Sequence, residues 1–420
     1  MKRSAGCFAL LFIYTCAFLL SFVFQNCVRI KRSFLDMSTP AGSVLNYVML
    51  TAAKPSAVSS STSTTTSTST STAAPVIKQP KFLVAANSAL SNLCIYSINS
   101  TDGSLSPVAG SPFATSATAR FVIADSTGKF VYTANGTTAA ISGYSINTST
   151  GVLSPIAGSP FAVPANPYSL VIDPSGKFLY AGNDQNTSIF LYTINTTTGQ
   201  LTYSTNYTSG TNAVAVTVEP SGKYLYAGWS GNPGKIDAFT INSSTGALTQ
   251  VAGAPYTTGN DNISVAVDPA GKFVFGANYF TTNVFSFVIN TATGALSAAP
   301  GSPYAAGSAP GYVYSEPLGR FVYVANSGDA VGTAAISGYS LNSSTGALTA
   351  IGGSPFAAGM NPISFYSDPS GKYLYSVNTG SNNISGFAVN SSTGALTPVP
   401  GSPFSTGAGS SPFSIVMISY

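Results

Sequence analysis

The chain has 420 residues, of which 7% are charged and 44% hydrophobic, with 41 glycines, 25 phenylalanines and 23 tyrosines. This is ample core material at a charge density far below the ~25% of an ordinary soluble domain. There is no histidine, which excludes Ser-His-Asp and Cys-His nucleophile systems, His-ligated metals and a histidine pH switch.

The formal charge of +4 is unevenly placed: residues 1–77 carry six bases and one acid, and residues 78–420 carry ten bases and eleven acids, a balance of −1. The body therefore lacks the basic footprint that phosphate-backbone binding needs, and nucleic acid is not expected as a partner. Cys7, Cys16 and Cys27 lie in or beside an N-terminal apolar stretch, leaving Cys94 alone in the body. No disulfide framework is expected, and cysteine usage identifies no redox compartment.

The first element in the chain is an uncharged run from Ser4 to Val28, preceded by Lys2 and Arg3 and followed by Arg29, Lys31 and Arg32. A positive start before an apolar core reads as an export signal. The run is also long enough to span a bilayer as an uncleaved anchor, and positive flanks on both sides leave its orientation open. A lipidated Cys27 fits poorly, because Phe24, Gln25 and Asn26 stand where small and aliphatic residues are required. The competing reading is an upstream mis-start, with Met37 as initiator. Residues 1–36 are thus expected to be a signal peptide or membrane anchor, and the chain to be exported to the cell envelope or beyond it. Residues 37–78 include a Ser/Thr tract that cannot bury enough apolar surface to offset its ordering entropy, so a flexible stalk is expected there.

From residue 79 the chain repeats itself. A Thr/Asp-Gly-x-Leu turn recurs with glycines at Gly103, Gly151, Gly199, Gly246, Gly294, Gly346 and Gly394, each after an aromatic-x-aliphatic-Asn strand end such as Tyr192–Asn195. An acid-Pro-x-Gly-base turn, as in Asp173-Pro174-Ser175-Gly176-Lys177, recurs with glycines at Gly128 (where Ser126 stands in the proline's place), Gly176, Gly222, Gly271, Gly319 and Gly371. Each repeat offers four short apolar runs separated by turn residues, for example 168–172, 178–182, 189–194 and 200–203. Four strands per unit, at a period of 47–52 residues, read as propeller blades. A truncated repeat at Lys81-Phe82-Leu83 and the C-terminal Pro412-Phe413-Ser414-Ile415-Val416 are complementary pieces of one blade. Residues 79–420 are therefore expected to form a closed seven-bladed all-β propeller with four antiparallel strands per blade, monomeric because closure leaves only short edges. A stacked solenoid is the alternative that the split terminal repeat argues against.

The Asp-Pro-Ser-Gly-Lys-Phe-Leu-Tyr string at Asp173–Tyr180, the Asn-Pro-x-Ser-Leu-Val-Ile string at Asn166–Ile172, the Thr-Gly-x-Leu turns and the Gly-Ser-Pro-Phe segments resemble the seven-bladed lactonase family. That family includes 6-phosphogluconolactonase-like proteins and a muconate-cyclising enzyme. The strand ends Tyr323–Asn326 and Tyr132–Asn135 are also similar to the Tyr-Val-Thr-Asn repeat propellers of microbial surface proteins. The resemblance covers roughly residues 79–420 and implies lactonase chemistry in a central cleft, by a histidine with arginine and glutamate. This chain has no histidine to take that role.

Candidate site residues emerge by subtracting what every repeat shares. The acids Asp125, Asp173, Glu219, Asp268, Glu316 and Asp368 and the bases that follow them recur at turns and read as scaffold. The ionisable residues left in the propeller are Arg120, Asp184, Lys235, Asp237, Asp261 and Asp329. Loops after a second strand and before an inner strand share one face of a propeller. Asp184, Lys235 and Asp329 fall in the first kind, Asp261 in the second, and Arg120 opens an inner strand at the register of Tyr168, Val214, Ile263, Ile363 and Phe413. Trp229, the sole tryptophan, takes a strand-end place that is Asn in the other repeats. It reads either as an aromatic platform at the mouth or as a residue packed over its own blade.

Two functions follow. A lactonase needs an activated water and a donor for the developing oxyanion, for which Asp184, Asp261 or Asp329 and Arg120 or Lys235 are the candidates. A binding module on the envelope, its catalytic site degenerate, would use Arg120, Trp229 and Lys235 to hold a small-molecule lactone or a glycan. The absence of histidine favours the second. No P-loop, dinucleotide fingerprint or calcium-type carboxylate cluster is present, so neither cofactor nor metal is expected. Membrane attachment, if the apolar run is retained, would be through the N-terminal segment.

Overall fold

The computed structural model describes residues 78–210, 212–328 and 335–420. The expected signal or anchor and nearly all of the expected stalk lie outside them. Seven antiparallel sheets are present. Their innermost strands are Pro412–Ser419 in blade 1, then Ala119–Ala124, Pro167–Ile172, Ala213–Val218, Asn262–Val267, Pro310–Ser315 and Pro362–Ser367 in blades 2 to 7. Every sheet steps outward through a second, third and fourth strand in chain order. Blade 1 draws its inner strand from the C-terminal end: Pro412–Ser419 pairs with Pro80–Asn87, with Val416 opposite Val84 and Pro412 opposite Asn87. The same strand packs on its other sides against Ala119–Ala124 and Pro362–Ser367, which closes the ring. The described residues are a seven-bladed all-β propeller, with no helix among them.

Second strands such as Phe178–Asn183 and Tyr373–Asn378 are buried along their whole length. Both of their faces meet neighbouring blades, so their sequences read as continuous apolar runs instead of alternating ones.

The turn acids work as scaffold. Asp173 Oδ1 accepts from the backbone N–H of Lys177 and Phe178 at 2.9 and 2.8 Å, and its Oδ2 accepts from Ser175 N at 3.0 Å. The Thr-Gly turns lock one blade to the next. Gly246 has φ +73°, and a Cβ there would lie 2.6 Å from Cδ1 of Phe178 in the preceding blade. Its carbonyl accepts the buried Tyr180 hydroxyl at 2.8 Å. Equivalent bonds run from Tyr132 to Gly199, Tyr226 to Gly294, Tyr323 to Gly394 and, across the closure, Tyr375 to Gly103. Blade 5 has Phe275 at the tyrosine place, and there Ser286 Oγ supplies the bond, to Gly346 O at 2.7 Å.

In the Gly-Ser-Pro segments the Ser–Pro bonds are cis, and the serine hydroxyl accepts from the third strand, as Ser159 Oγ does from Gly143 N at 2.8 Å. Two residues after each of these come back as a short extra strand, Phe161–Ala162 in blade 2 for example. Blade 3 lacks this segment and runs a continuous fourth strand, Leu201–Thr208, instead.

Candidate functional site

Backbone bonds show which loops share a face. Gly136 N donates to Thr118 O at 2.8 Å, Tyr279 N to Asp261 O at 2.9 Å, Ser327 N to Ala309 O at 3.0 Å and Thr379 N to Asn361 O at 3.0 Å. In each pair a loop that follows a second strand is tied to the loop that precedes its inner strand, so both surround one mouth. Below it lies a cavity of about 890 Å3 along the propeller axis. Its upper ring is Tyr168, Val214, Ile263, Gly311, Ile363 and Phe413, the register in which blade 2 carries Arg120.

Arg120 is held on four sides. Its Nη1 lies 2.8 Å from Asp184 Oδ2, with both side chains 30% exposed. Its Cζ lies 5.0 Å from the ring centroid of Tyr168 and 5.8 Å from that of Phe413, close enough for cation–π attraction. Those two rings meet edge to face at 6.0 Å. Beneath the aliphatic stem is Gly136, where a Cβ would stand 2.5 Å from Arg120 Cδ; the glycine makes room for the side chain to lie flat. Arg120 comes from blade 2, Asp184 and Tyr168 from blade 3 and Phe413 from blade 1, so three blades fix one guanidinium.

Burial pushes the Tyr168 phenol up from its ordinary value; Asp184, Asp261 and Tyr279 push the same way and Arg120 opposes them. The phenol therefore stays protonated at neutral pH and presents a donor at the mouth.

Asp261 lies on the cavity lining, in the left-handed region at φ +63°. Ala309, Asn361 and Ser411 share that conformation at the same place in their blades, so it belongs to the fold, and aspartate tolerates it well. Asp261 Oδ1 accepts from Gly231 N at 3.1 Å, and Asp261 N donates to Gly231 O at 2.8 Å. Asp329 lies outside the described residues.

Trp229 is 7% exposed and is absent from the cavity lining. Its six-membered ring fills the space over Gly210, where any Cβ would overlap it. Lys235 Nζ stands 5.5 Å from the ring. The structure thus brings Arg120 and Asp184 together at the mouth, with Asp261 on the same lining, and sets Trp229 and Lys235 together in blade 4.

Asp237, fully buried in Lys235–Ile241, has its carboxyl pushed up by burial, against the hydrogen bond from Gln250, the Ala238 N–H and the charge of Lys235. Gln250 Nε2 donates to both oxygens, at 2.9 and 3.2 Å.

Sequence reasoning missed Tyr168, Phe413 and Gly136 as parts of the Arg120 site. The signal available was that Tyr168 and Phe413 occupy Arg120's register in the two flanking blades. Among the described residues no three metal-ligating side chains come together.

Comparison with known proteins gives the following. The family model described as "Lactonase, 7-bladed beta-propeller" matches residues 44–166, 162–218, 198–311 and 291–410. No curated protein sequence matches the chain significantly. Among solved structures, a proposed 6-phosphogluconolactonase from Bacteroides fragilis is similar with a TM-score of 0.66 at 20% identity, over 81% of this chain and 98% of that one. The periplasmic gluconolactonase of Pseudomonas aeruginosa has a TM-score of 0.66 at 18% identity, over 81% and 99% of the two chains. At these identities the likeness shows the fold.

Proposed function

Because the chain belongs to the family of seven-bladed β-propeller lactonases, we propose that it is an exported, envelope-located member that has kept the family's cleft as a binding site and lost its hydrolytic centre. Its ligand is an uncharged small molecule, a neutral lactone or a glycan. The observation that carries this reading is the Arg120–Asp184 pair: the cation at the mouth is matched by a carboxylate 2.8 Å away.

Lactone opening needs a base to activate water and a donor waiting for the oxyanion. Asp184 is engaged by Arg120, and Asp261 caps Gly231. A phosphorylated ligand would want several cations together, whereas Arg120 is paired with Asp184 and Lys235 stands over the Trp229 ring in blade 4. Tyr168 and Phe413 beside Arg120 suit a ring-bearing neutral ligand, which can lie on an aromatic face while the guanidinium and carboxylate meet its hydroxyl or carbonyl groups.

The alternative, an active lactonase, draws on Asp261, a carboxylate on the cavity lining. The deciding experiment uses the full chain in nonionic detergent, with neutral and phosphorylated lactones and neutral oligosaccharides, followed by calorimetry for binding and by proton release for hydrolysis. Binding of a neutral ligand without turnover is expected. Hydrolysis above the uncatalysed rate that is lost in Arg120→Ala would replace this reading with the enzymatic one, and neither binding nor turnover would dismiss both.

A further inference from the structure

In every blade the inner strand slips by one residue against the second strand, close to the mouth. A bulge of this kind re-aims the side chain of the extra residue, and here the extra residues are the ring around the mouth. Six of them are valine or larger, Arg120 of blade 2 and Phe413 of blade 1 among them; the seventh, in blade 6, is Gly311. A Cβ at Gly311 would meet Ser327 Oγ at 3.0 Å, and its next neighbours, Ala309 O and Ile263 Cδ1, at 3.9 Å. The ring is therefore open at blade 6, on the far side of the axis from Arg120.

The two most exposed large apolar side chains among the described residues stand in the blades on either side of blade 6. Phe280, 68% exposed, is in the loop after the second strand of blade 5, and Met360, 55% exposed, is in the loop before the inner strand of blade 7. Backbone bonds tie both loops into the mouth, Phe280 N donating to Asn260 O at 3.4 Å and Gly380 N to Met360 O at 3.0 Å. Phe280 also lines the cavity. Single exposed apolar residues are ordinary; a pair set on either side of the one unfilled ring position is a rim that an apolar group meets on its way in.

Below the ring the cavity follows the inner strands, from Gly311 to Ser315 in blade 6, which at ~3.3 Å per residue is a depth of roughly 13 Å. Its lining carries one charge, Asp261, and that carboxylate is at the mouth, engaged with Gly231. Blades 2, 3 and 5 contribute Ile123, Val171 and Val267, and blades 6 and 7 contribute Tyr312, Tyr314 and Tyr366. The Tyr314 hydroxyl is taken up within the wall, accepting from Ser367 N at 3.1 Å with Ser367 Oγ at 3.0 Å, so its ring is what it gives to the cavity. A lactone or sugar ring held at the mouth leaves this apolar depth unused; a hydrocarbon chain would desolvate it.

We propose that the ligand is amphipathic: a neutral ring bearing an alkyl chain, the ring held at Arg120 and Asp184, the chain passing Gly311 between Phe280 and Met360 to lie along the propeller axis. This rests on the reading of the mouth as a ligand site and narrows it. The two ends of the ligand are recognised from opposite sides of one circle of bulge residues, by the charge of Arg120 and by the missing side chain of Gly311.

The test is a ligand-observed NMR titration of the full chain in digitonin, a detergent without an alkyl chain, with protein-free micelles as the reference. The probes are two pairs, γ-butyrolactone with γ-octalactone and methyl with octyl β-D-glucoside. In at least one pair the longer member is expected to bind more tightly, by about fourfold for each methylene that enters the channel. Gly311→Leu, which places a side chain in the opening, is expected to reduce that long-to-short ratio roughly tenfold or more. Phe280→Ser combined with Met360→Ser, at exposed positions, is expected to reduce the same ratio severalfold, which keeps the test decisive if Gly311→Leu fails to fold. Equal affinities within each pair, or a ratio unchanged in either folded variant, would overturn the alkyl chain and leave the mouth as a site for the ring alone. Binding of no probe at all would overturn the reading of the mouth as well.

Discussion

Trp229 and Asp237 stand in blade 4 at the two places where blade 2 has Asn135 and Ser142, hydrogen-bonded at 2.9 Å. Asn87 with Cys94, Asn326 with Ser337 and Asn378 with Ser385 repeat that bond elsewhere. Blade 4 has lost both partners at once, and a third residue completes the exchange: Gln250 supplies the amide that asparagine would have given. Residues of one hydrogen-bonded set are energetically coupled. Trp229→Asn and Asp237→Ser made together should cost less than the sum of the two made separately. Unfolding of the single and double variants measures the coupling, expected at ~1 kcal/mol; additive costs would show that the exchange is incidental.

Asp237 also sets a pH dependence. Burial holds its folded-state pKa above the ~3.9 of an unfolded aspartate, so the folded chain keeps the proton more tightly. Stability from this group is present below about pH 4 and is lost as pH rises from there through the raised value. Asp237→Asn removes the titration. The stability of that variant relative to wild type should climb from pH 4 upward and then level off, as read by urea unfolding followed at the sole tryptophan. A difference independent of pH would mean that the carboxyl keeps its ordinary affinity for the proton in the folded chain.

Arg120→Ala should weaken ligand binding at least tenfold and leave the fold intact. The Arg120–Asp184 pair is 30% exposed on both sides, and ion pairs of that kind contribute up to ~1 kcal/mol. Calorimetry of the variant beside its thermal unfolding separates the two effects. Unchanged affinity would move the binding site away from Arg120.

Gly246→Ala should destabilise by ~2 kcal/mol or more, because the residue is at φ +73° and the new methyl would strike Phe178. Gly352→Ala, with nothing within 4 Å, should stay within ~0.5 kcal/mol of wild type. Chemical unfolding of the two variants checks the contrast.

Tyr180→Phe removes the buried bond to Gly246 O and should cost ~1–2 kcal/mol through the orphaned carbonyl. Ser286→Ala should cost about as much, although serine is far smaller, since its hydroxyl makes the same bond to Gly346 where Phe275 cannot. A negligible effect of Ser286→Ala would mean that this carbonyl is satisfied in another way.

Much of the fold was legible because its rules are local. An acid three places before a glycine at positive φ and an asparagine capping its own turn are written within a few residues, and they recur. The site was only half legible. Arg120 and Asp184 could each be assigned to the mouth from their own repeats, but their contact joins residues 64 apart in sequence and depends on which blades are neighbours. The burial of Trp229 was hidden for a similar reason: its ring lies against Gly210, at the shortened end of the preceding blade. Blade 3's unbroken edge was visible as a missing Gly-Ser-Pro segment, an omission that a search for shared motifs passes over.

The split blade carries a consequence for the order in which the protein can be made. Among the described strands Pro80–Asn87 leaves the ribosome first, and its inner neighbour, Pro412–Ser419, leaves it last. Contacts so distant in sequence come late and slow folding. Until they form, the inner edge of Pro80–Asn87 is an uncovered apolar strand in a chain otherwise able to build blades one by one. Ring closure is thus a step that waits for Pro412–Ser419, and a chain truncated before Pro412 would carry that open edge permanently, an invitation to aggregation.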